Sequence, residues 1–199
     1  MTAMFEVRIH GRGGQGVVTT AELLSVAAFT DGRQAQAFPT FGSERTGAPV
    51  VGFCRIGNRP IRTHEPIAEP DAVIVQDATL IHHTDVLGGL KPDGYLLLNT
   101  SWSLTELGLD AFVRQFRPDR VLSVPATELA LTHLRRPLPG AVLLGAFAAL
   151  TGQVQLDSVV TVVRDRFSGQ VAEGNIAAVR AAYELARRTL EETAHALAD

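Results

Sequence analysis

Apolar and polar residues alternate at the start of the chain, which is the pattern of a β-strand covered on one face. Over residues 5–10 the odd-numbered residues are apolar and the even-numbered residues are polar. Gly11–Gly16 follows, and a mostly apolar stretch over 17–29 predicts a helix that Asp31 and Gly32 end. A strand, a glycine turn and a helix are therefore expected first.

Two later segments are apolar without alternation, as in strands buried on both faces. They are 72–75 and 95–99, with a predicted helix over 79–90 between them. The order strand, helix, strand predicts a right-handed crossover between parallel neighbours. Residues 120–124 are a further candidate parallel strand.

An antiparallel element is predicted between the first helix and the buried strands. Residues 34–38 form a candidate second strand. Segments 50–56 and 60–63, separated by the turn Gly57-Asn58, predict a β-hairpin.

The remaining pattern is helical. Helices are predicted over 109–116, 129–134, 141–150 and 156–167, and a long amphipathic helix has apolar residues three or four apart from Ile176 to Leu197. The predicted fold is α/β: one domain spanning residues 1–199, with a mixed, mostly parallel sheet flanked by helices and an inserted antiparallel hairpin.

Composition narrows the possible partners. The chain has 199 residues, 46% of them hydrophobic, and a net charge of -3 without a basic block, so neither nucleic acid nor an anionic membrane is an expected partner. Its longest apolar run, 141–150, is too short for a membrane span. With one cysteine and no signal-peptide pattern at the N-terminus, we expect a reduced, cytoplasmic protein that holds neither a disulfide nor a four-thiolate metal site.

The glycine turn matches G-x-G-x-x-G between a strand and a helix. Glycines at these positions let backbone amides approach a diphosphate at the helix N-terminus. A dinucleotide site would also need a fully apolar first strand and an acidic residue at the end of the second strand, and the sequence has neither. The alternatives are close packing by the glycines, or contact with another anion or a partner subunit.

The segment Phe38–Pro49 places aromatic residues, prolines and glycines around a polar centre. Arg45 and Ser43 could donate hydrogen bonds to an anion or face a subunit interface. Arg45 could equally form a structural ion pair with Glu44 or another neighbouring carboxylate.

Four other features of the sequence can each be explained by a structural role as well as by a functional one. Asp77 follows a buried strand and is either a site residue or a helix N-cap. His82 and His83 are adjacent on a predicted helix, so they face different ways and favour a solvated surface over a metal site. Cys54 is expected to be a buried thiol. Trp102 is either an interface anchor or a cover for the edge of the core.

Together these segments resemble the gamma subunit of 2-oxoacid:ferredoxin oxidoreductases over essentially the whole chain. The pairing of the glycine turn with a Phe-Gly-Ser-Glu-Arg loop about 30 residues later is more specific than either motif. The residues that carry the resemblance are Gly11–Val17, Ala35–Pro39, Phe41–Arg45, Gly47–Val50, Asp71, Gln76 and Asp77. Gly140 stands near a position where the family often has an asparagine.

The resemblance implies a subunit of an enzyme that oxidatively decarboxylates a 2-oxoacid with coenzyme A. The complex would hold thiamine diphosphate, Mg²⁺ and [4Fe-4S] clusters in sister alpha, beta and delta-type subunits, and would reduce ferredoxin or another acceptor. This chain lacks a Gly-Asp-Gly motif with a following asparagine pair, and one cysteine cannot hold a cluster. It is therefore expected to bind none of these cofactors alone.

By the family's pattern, the chain flanks the thiamine site and helps to form the coenzyme A cleft. The candidate cofactor-binding residues are Gly13, Gly14, Gln15, Gly16, Ser43 and Arg45. No catalytic residue or metal ligand is predicted. A free-standing NAD- or FAD-binding enzyme and a purely structural assembly subunit are the alternatives. The sequence leaves open whether the acid is pyruvate, a branched-chain or aromatic 2-oxoacid such as phenylglyoxylate, or 2-oxoglutarate.

Overall fold

Six strands form one mixed sheet in a computed structural model that describes residues 4–39 and 46–198. The sheet order is β2-β3-β1-β4-β5-β6. Strand β3 runs antiparallel to β1 and β2, whereas β1, β4, β5 and β6 are parallel. The strands are β1 (Phe5–Arg12), β2 (Gln34–Pro39), β3 (Pro49–Gly57), β4 (Ala72–Val75), β5 (Tyr95–Asn99) and β6 (Val121–Val124).

Helices cover mainly one face of the sheet. Their bounds are α1 (Val17–Thr30), α2 (Asp110–Val113), α3 (Ala126–Leu134), α4 (Gly140–Thr151), α5 (Leu156–Arg166) and α6 (Gly169–Ala198), with short 3-10 helices at Ala78–His82 and Pro118–Arg120. The larger core lies between α1, α3, α4, α5, α6 and the sheet. A smaller core on the opposite face packs apolar residues of β4 and β5 against irregular chain between 78 and 116. The predicted fold class is confirmed.

The prediction that β1 is covered on one face is wrong, because its polar residues are buried as well. Arg8 and His10 are 9% and 4% exposed. Arg8 donates from Nε to His10 Nε2 at 2.9 Å and from Nη2 to the carbonyl oxygens of Val86 and Gly88 at 3.1 and 2.5 Å. A buried guanidinium is tolerated when its donors are satisfied in this way. Alternation therefore indicated polarity at these positions and not exposure to solvent.

The predicted hairpin pairs the wrong strands. Segment 50–56 is indeed in β3, but 60–63 forms no strand, and the antiparallel hairpin is made by β2 and β3. Both edges of β3 are already occupied by β1 and β2, so no edge is left for another strand. The chain after Gly57 is instead held by Arg55, whose Nη2 donates to the Glu65 carbonyl at 2.7 Å and whose Nε pairs with Glu6 at 2.8 Å.

The helix predicted over 79–90 is also wrong. Only Ala78–His82 is helical, as a 3-10 helix, and the chain then continues in bends and turns. Gly89 has a left-handed φ of 74°, which interrupts a helix, and the Val86 and Gly88 carbonyls accept from Arg8 instead of from helical amides. Helix α2 is likewise shorter than predicted. The three C-terminal helices were predicted correctly within a few residues, except that α6 begins at Gly169.

Replacing Gly145 with alanine tests how closely α4 and α6 pack. A Cβ at this position would lie 2.2 Å from the Val179 carbonyl oxygen of α6. We expect Gly145→Ala to lower the free energy of unfolding of the chain by about 2 kcal/mol, measured by urea titration, because the two backbones must separate. Gly57→Ala is the matched control, since its Cβ would meet nothing closer than 3.8 Å. Equal effects of the two variants would contradict this packing.

His10 makes stability depend on pH. Burial, followed by the nearby charge of Arg8, lowers the pKa of His10 to about 4 from 6.5. Between these values the unfolded chain binds a proton that the folded chain does not. Stability is therefore fully present above pH 6.5 and lost as the pH falls towards 4, by about 3 kcal/mol in total.

Urea unfolding at several pH values checks this expectation. His10→Gln keeps an acceptor for Arg8 without titrating, so its stability should fall less between pH 6.5 and 4 than that of the unaltered chain. His195→Gln, at an exposed position of α6, should leave the pH dependence unchanged. Parallel curves for His10→Gln and the unaltered chain would refute the assignment.

Candidate functional site

The last four residues of the glycine turn, Gly13–Gly16, join the carboxyl end of β1 to α1. Gly14 and Gly16 have φ angles of 94° and 74°, which residues with a side chain rarely adopt. Gly11 at the end of β1 has a different role, since a Cβ there would lie 2.6 Å from Cγ2 of Val17. The glycines therefore serve both the turn and the packing of α1 against β1.

Two of the four turn amides are already used within the chain. The amide of Gly13 donates to the Ala48 carbonyl at 2.8 Å, and that of Gln15 donates to the Arg12 carbonyl at 3.0 Å. The Gly14 and Gly16 amides have no acceptor among the residues that the structure describes. They lie beside the N-terminus of α1, where the helix dipole favours an anion.

The chain that follows the Ser43 and Arg45 positions meets this turn. The Gly47 amide donates to the Gly13 carbonyl at 3.0 Å, and Thr46 forms a β-bridge with Gly13. Ser43 and Arg45 themselves lie outside the described residues. Their predicted role therefore stays a prediction.

A polar cluster links the turn to the carboxyl end of β4. We call Arg12, Gln15, Asp77 and Thr79 the junction cluster. Asp77 Oδ2 accepts from Arg12 Nε at 3.0 Å and from Gln15 Nε2 at 2.9 Å. Its other oxygen accepts from the Thr79 amide at 3.1 Å and the Thr79 hydroxyl at 2.5 Å. Asp77 is thus the N-cap of the 3-10 helix Ala78–His82, whereas its role as a functional residue stays a prediction.

The surroundings of Asp77 keep it ionised. Burial alone would raise its pKa, but hydrogen bonds from Thr79 and Gln15 and the charge of Arg12 outweigh burial and lower the pKa of Asp77. The side chains of Arg12 and Asp77 are partly shielded from solvent, at 30% and 16% exposure. This pair is consequently expected to contribute more to the stability of the fold than an ion pair at the surface does.

A second network fixes the ends of β4 and β5 to the start of α3. Asn99 Nδ2 donates to the Gln76 carbonyl and to the Thr127 hydroxyl, both at 2.7 Å. The Thr127 amide returns a hydrogen bond to Asn99 Oδ1 at 3.0 Å. Three elements distant in sequence are therefore held by one amide side chain.

Gln76 lies beneath this network and is almost fully buried. Its Nε2 donates to the Thr20 hydroxyl at 2.7 Å, which in turn donates to the Gly16 carbonyl at 3.0 Å. Gln76 Oε1 has no hydrogen-bond partner among the described residues. Gly140 approaches the same place, because a Cβ there would lie 2.2 Å from Thr20 Oγ1. An asparagine could not stand at Gly140 without displacing Thr20.

A cavity of about 630 Å³ opens at the carboxyl ends of β4, β5 and β6, where α/β proteins often bind ligands. We call it the strand-end cavity. Its lining residues include Gln15, Asp77, Thr79, His82, His83, Asn99, Thr100, Ser101, Trp102, Leu107, Pro125, Thr127 and Glu128. A smaller hollow of about 280 Å³, the glycine-turn depression, is lined by Arg12, Gly13, Gly14, Gly16, Val17, Val18, Thr19 and Val50.

The structure separates the candidate residues into these two places. Gly13, Gly14 and Gly16 line the glycine-turn depression, whereas Gln15 turns its side chain towards Asp77 and the strand-end cavity. His82 and His83 line that cavity too. Trp102 is 61% exposed there and does not cover the core. Cys54 is fully buried, which raises the pKa of its thiol, as expected of a structural cysteine.

Sequence reasoning missed Arg12, Asn99 and Thr127. Asn99 ends a fully apolar strand, and this position is itself a signal, because side chains at strand ends point towards the site. Its partner Thr127 lies 28 residues away, and no local pattern marks such a pairing. Arg12 occupies a position of the G-x-G-x-x-G motif at which any residue is allowed, so the motif did not single it out.

Within the described ranges, the chain has no group of three or more histidine, cysteine, aspartate or glutamate side chains placed to hold a metal ion. Nor is any helix in those ranges both long and apolar enough to cross a membrane.

Asp77→Asn tests whether the carboxylate organises the junction cluster. The amide would present a donor to Arg12 or Gln15, so we expect a loss of about 1–2 kcal/mol in the free energy of unfolding at neutral pH. The deficit should shrink below about pH 4, where Asp77 takes up a proton when the chain unfolds. Urea titration at both pH values measures it. Asp119→Asn, in the surface pair with Arg117, is the control and should have the smaller effect; a reversed order would contradict the argument.

Residues 6–185 match the family model of pyruvate ferredoxin/flavodoxin oxidoreductase. Among curated relatives, pyruvate synthase subunit PorC of Methanothermobacter marburgensis is 45% identical over 181 residues, covering 91% of this chain and 97% of the relative. The pyruvate/ketoisovalerate oxidoreductases common subunit gamma of Pyrococcus abyssi is 47% identical, covering 91% and 96%.

Solved structures have the same fold. Pyruvate oxidoreductase subunit PORC of Thermotoga maritima superposes with a TM-score of 0.76 at 35% identity, covering 91% of this chain and 96% of that one. A 2-oxoglutarate:ferredoxin oxidoreductase of Magnetococcus marinus, with 2-oxoglutarate, coenzyme A and succinyl-CoA bound, gives 0.71 at 17% identity, covering 93% of this chain and 31% of that one. At that identity the likeness concerns the fold alone.

Proposed function

Because the chain belongs to the pyruvate ferredoxin/flavodoxin oxidoreductase family, we propose that it is the gamma subunit of a multi-subunit enzyme that oxidatively decarboxylates a 2-oxoacid with coenzyme A. In that reaction the bond between the carboxyl and carbonyl carbons breaks and CO₂ leaves. The acyl carbon forms a bond to the sulfur of coenzyme A, whose thiol proton is released to solvent, and two electrons pass singly to ferredoxin or another acceptor. Since the Methanothermobacter marburgensis relative and the Thermotoga maritima structure are both named for pyruvate, pyruvate is the first substrate to test.

The thiamine and iron–sulfur chemistry is assigned to the sister subunits, because the residues of this chain do not fit those groups. Its only cysteine, Cys54, is buried inside β3, whereas a [4Fe-4S] cluster takes four thiolates. In the described part of the chain no set of carboxylates is gathered for Mg²⁺. Alpha, beta and delta-type partners would therefore supply the thiamine diphosphate, Mg²⁺ and clusters.

This chain's own contribution is to one wall of the coenzyme A cleft. The observation that carries this assignment is the pair of amides at Gly14 and Gly16, which have no acceptor in the described ranges and lie beside the N-terminus of α1. Arg12 lines the same depression with a positive charge. Such a site favours the phosphates of coenzyme A. Gly13 and Gln15 shape the turn, and Ser43 and Arg45 are proposed as further anion contacts.

Copurification of the native complex tests the assembly. We expect the chain to bring down partner subunits that bear thiamine diphosphate and iron–sulfur absorbance. A chain isolated alone with a bound nicotinamide or flavin would overturn the proposal in favour of a free-standing dinucleotide enzyme.

Arg45→Ala in the assembled complex tests the coenzyme A contact. Loss of one charged hydrogen bond should raise the apparent KM for coenzyme A about tenfold and leave the KM for the 2-oxoacid unchanged. Arg180→Ala, at an exposed position of α6, is the matched control. If Arg45→Ala alters neither the coenzyme A KM, nor turnover, nor subunit assembly, the residue has no such role, and a purely structural subunit is then favoured.

A further inference from the structure

The end of α6 lies beyond the part of the chain that the family match covers. That match ends at residue 185, whereas α6 continues to Ala198. The alignment with the Methanothermobacter marburgensis relative takes in 97% of that protein but 91% of this chain. We call residues 187–198, which follow the buried Ala186, the α6 extension. It lies outside the shared part of the fold.

The apolar side of α6 continues into this extension. Residues spaced alternately three and four apart lie along one side of a helix. In the body of the protein this series packs against the larger core, and it consists of Ile176, Val179, Tyr183 and Ala186. The same spacing continues with Leu190, Thr193 and Leu197, which form what we call the extension seam.

The extension seam becomes uncovered towards its end. Leu190 still packs partly against the larger core, whereas the neighbouring Ala194 is exposed and Leu197 is 60% exposed. The Thr193 hydroxyl donates to the Thr189 carbonyl at 2.8 Å, so its polar group is bound within the helix. Contact of these apolar groups with water is unfavourable, and a second apolar surface would stabilise them.

The borders of the extension seam carry no free charge. Arg187 lies beside it and pairs with Glu191 at 2.6 Å and with Glu184 at 3.4 Å. On the other border the helical periodicity places Thr189 and Ala196. A surface that covers the seam therefore meets apolar and neutral groups, and it is suited to this task if it is itself apolar and uncharged.

The size of the α6 extension decides between a second copy of this chain and another subunit. Residues 187–198 span about 18 Å at 1.5 Å per residue. Pairing two such segments buries far less than the roughly 1,200 Å² that two free chains need for a stable dimer. A sister subunit is already held by other contacts, so a short helix can strengthen an interface that it could not form alone.

We propose that the α6 extension inserts its seam into an uncharged, apolar groove of a sister subunit and fastens this chain to the complex. Leu197 is the anchor, because it is the large apolar side chain of the seam that is most exposed. The contact is a helix lying in a groove, with its apolar side inward. The inference rests on the proposed function, because it requires that the chain is a subunit.

Leu197→Glu in the assembled complex tests the anchor. A carboxylate does not fit an apolar groove, so the dissociation constant between this chain and its sister subunits should rise at least about tenfold, measured by mass photometry over a dilution series. Leu197→Met should retain the affinity. His195→Glu, at an exposed position on the opposite side of α6, is the matched control and should leave the dissociation constant unchanged. Both side chains are exposed, so neither change should alter folding.

Amide hydrogen exchange over residues 189–198 is a second measurement that needs no variant. In the isolated chain these uncovered turns should open and exchange rapidly. In the assembled complex the groove would cover them, and their exchange should slow at least about tenfold. In the complex that carries Leu197→Glu, most of this protection should be lost.

The possible failures are distinguishable. If Leu197→Glu and His195→Glu change the dissociation constant equally, or assembly does not slow the exchange, the extension is a solvated helix end and the proposal is overturned. An isolated chain that forms a dimer in sedimentation, with Leu197→Glu abolishing it, would make a second copy the occupant and overturn the proposal as well. If the chain never assembles with partners that bear thiamine diphosphate and clusters, the proposed function itself fails.

Discussion

The architecture depends on burial of the polar face of β1. Arg8, His10 and Arg12 alternate along one side of the strand, and each has hydrogen-bonding partners that are distant in the chain or on the strand itself. Among the residues that the structure describes, irregular chain and not a helical layer covers this side of β1, and its carbonyl groups need donors. Arg8 supplies them to residues 67, 68, 86 and 88. One guanidinium thus replaces the backbone pairing that a helix or strand would have provided.

The same row of side chains leads directly to the site. Arg8 holds the cover of the sheet, and Arg12, four residues later, joins β1 to β4 through Asp77. At this junction the sheet extends from β1 in two directions. The chain through α1 leads to β2 on one side of β1, and β4, β5 and β6 lie on the other side. A crevice between diverging connections is the usual place for ligands in such sheets. Gly11, near the end of β1, has no Cβ to collide with Val17, so α1 can begin close to the strand.

Sequence predicted those parts of the fold that local pattern determines. The apolar runs of β4 and β5 and the periodicity of α4, α5 and α6 correspond to buried strands and helices in the structure. Two of the failures, the strand predicted over 60–63 and the helix predicted over 79–90, share a contributing cause. Arg8 and Arg55 divert the segments after Gly57 and His82 into irregular paths, through bonds between residues up to 80 apart in sequence. Propensity within a short window contains no information about such partners.

The site was predictable to a similar degree. The glycine turn and Asp77 stood out because a motif and a strand end mark them. Which backbone amides of the turn are already hydrogen-bonded could not be predicted. It depends on the Ala48 carbonyl accepting from the Gly13 amide and on the Gln15 side chain folding back to Arg12. Asn99 and Thr127 could be suspected only as polar residues at strand and helix ends. Their mutual hydrogen bonds require the tertiary fold.

The four hydrogen bonds accepted by Asp77 have a consequence for the working enzyme. A carboxylate so stabilised does not take up a proton under physiological conditions, so the link between β1 and β4 keeps its charge whether or not protons are released nearby. The strand-end cavity and the glycine-turn depression are therefore joined by an ion pair that a change of pH near neutrality does not break.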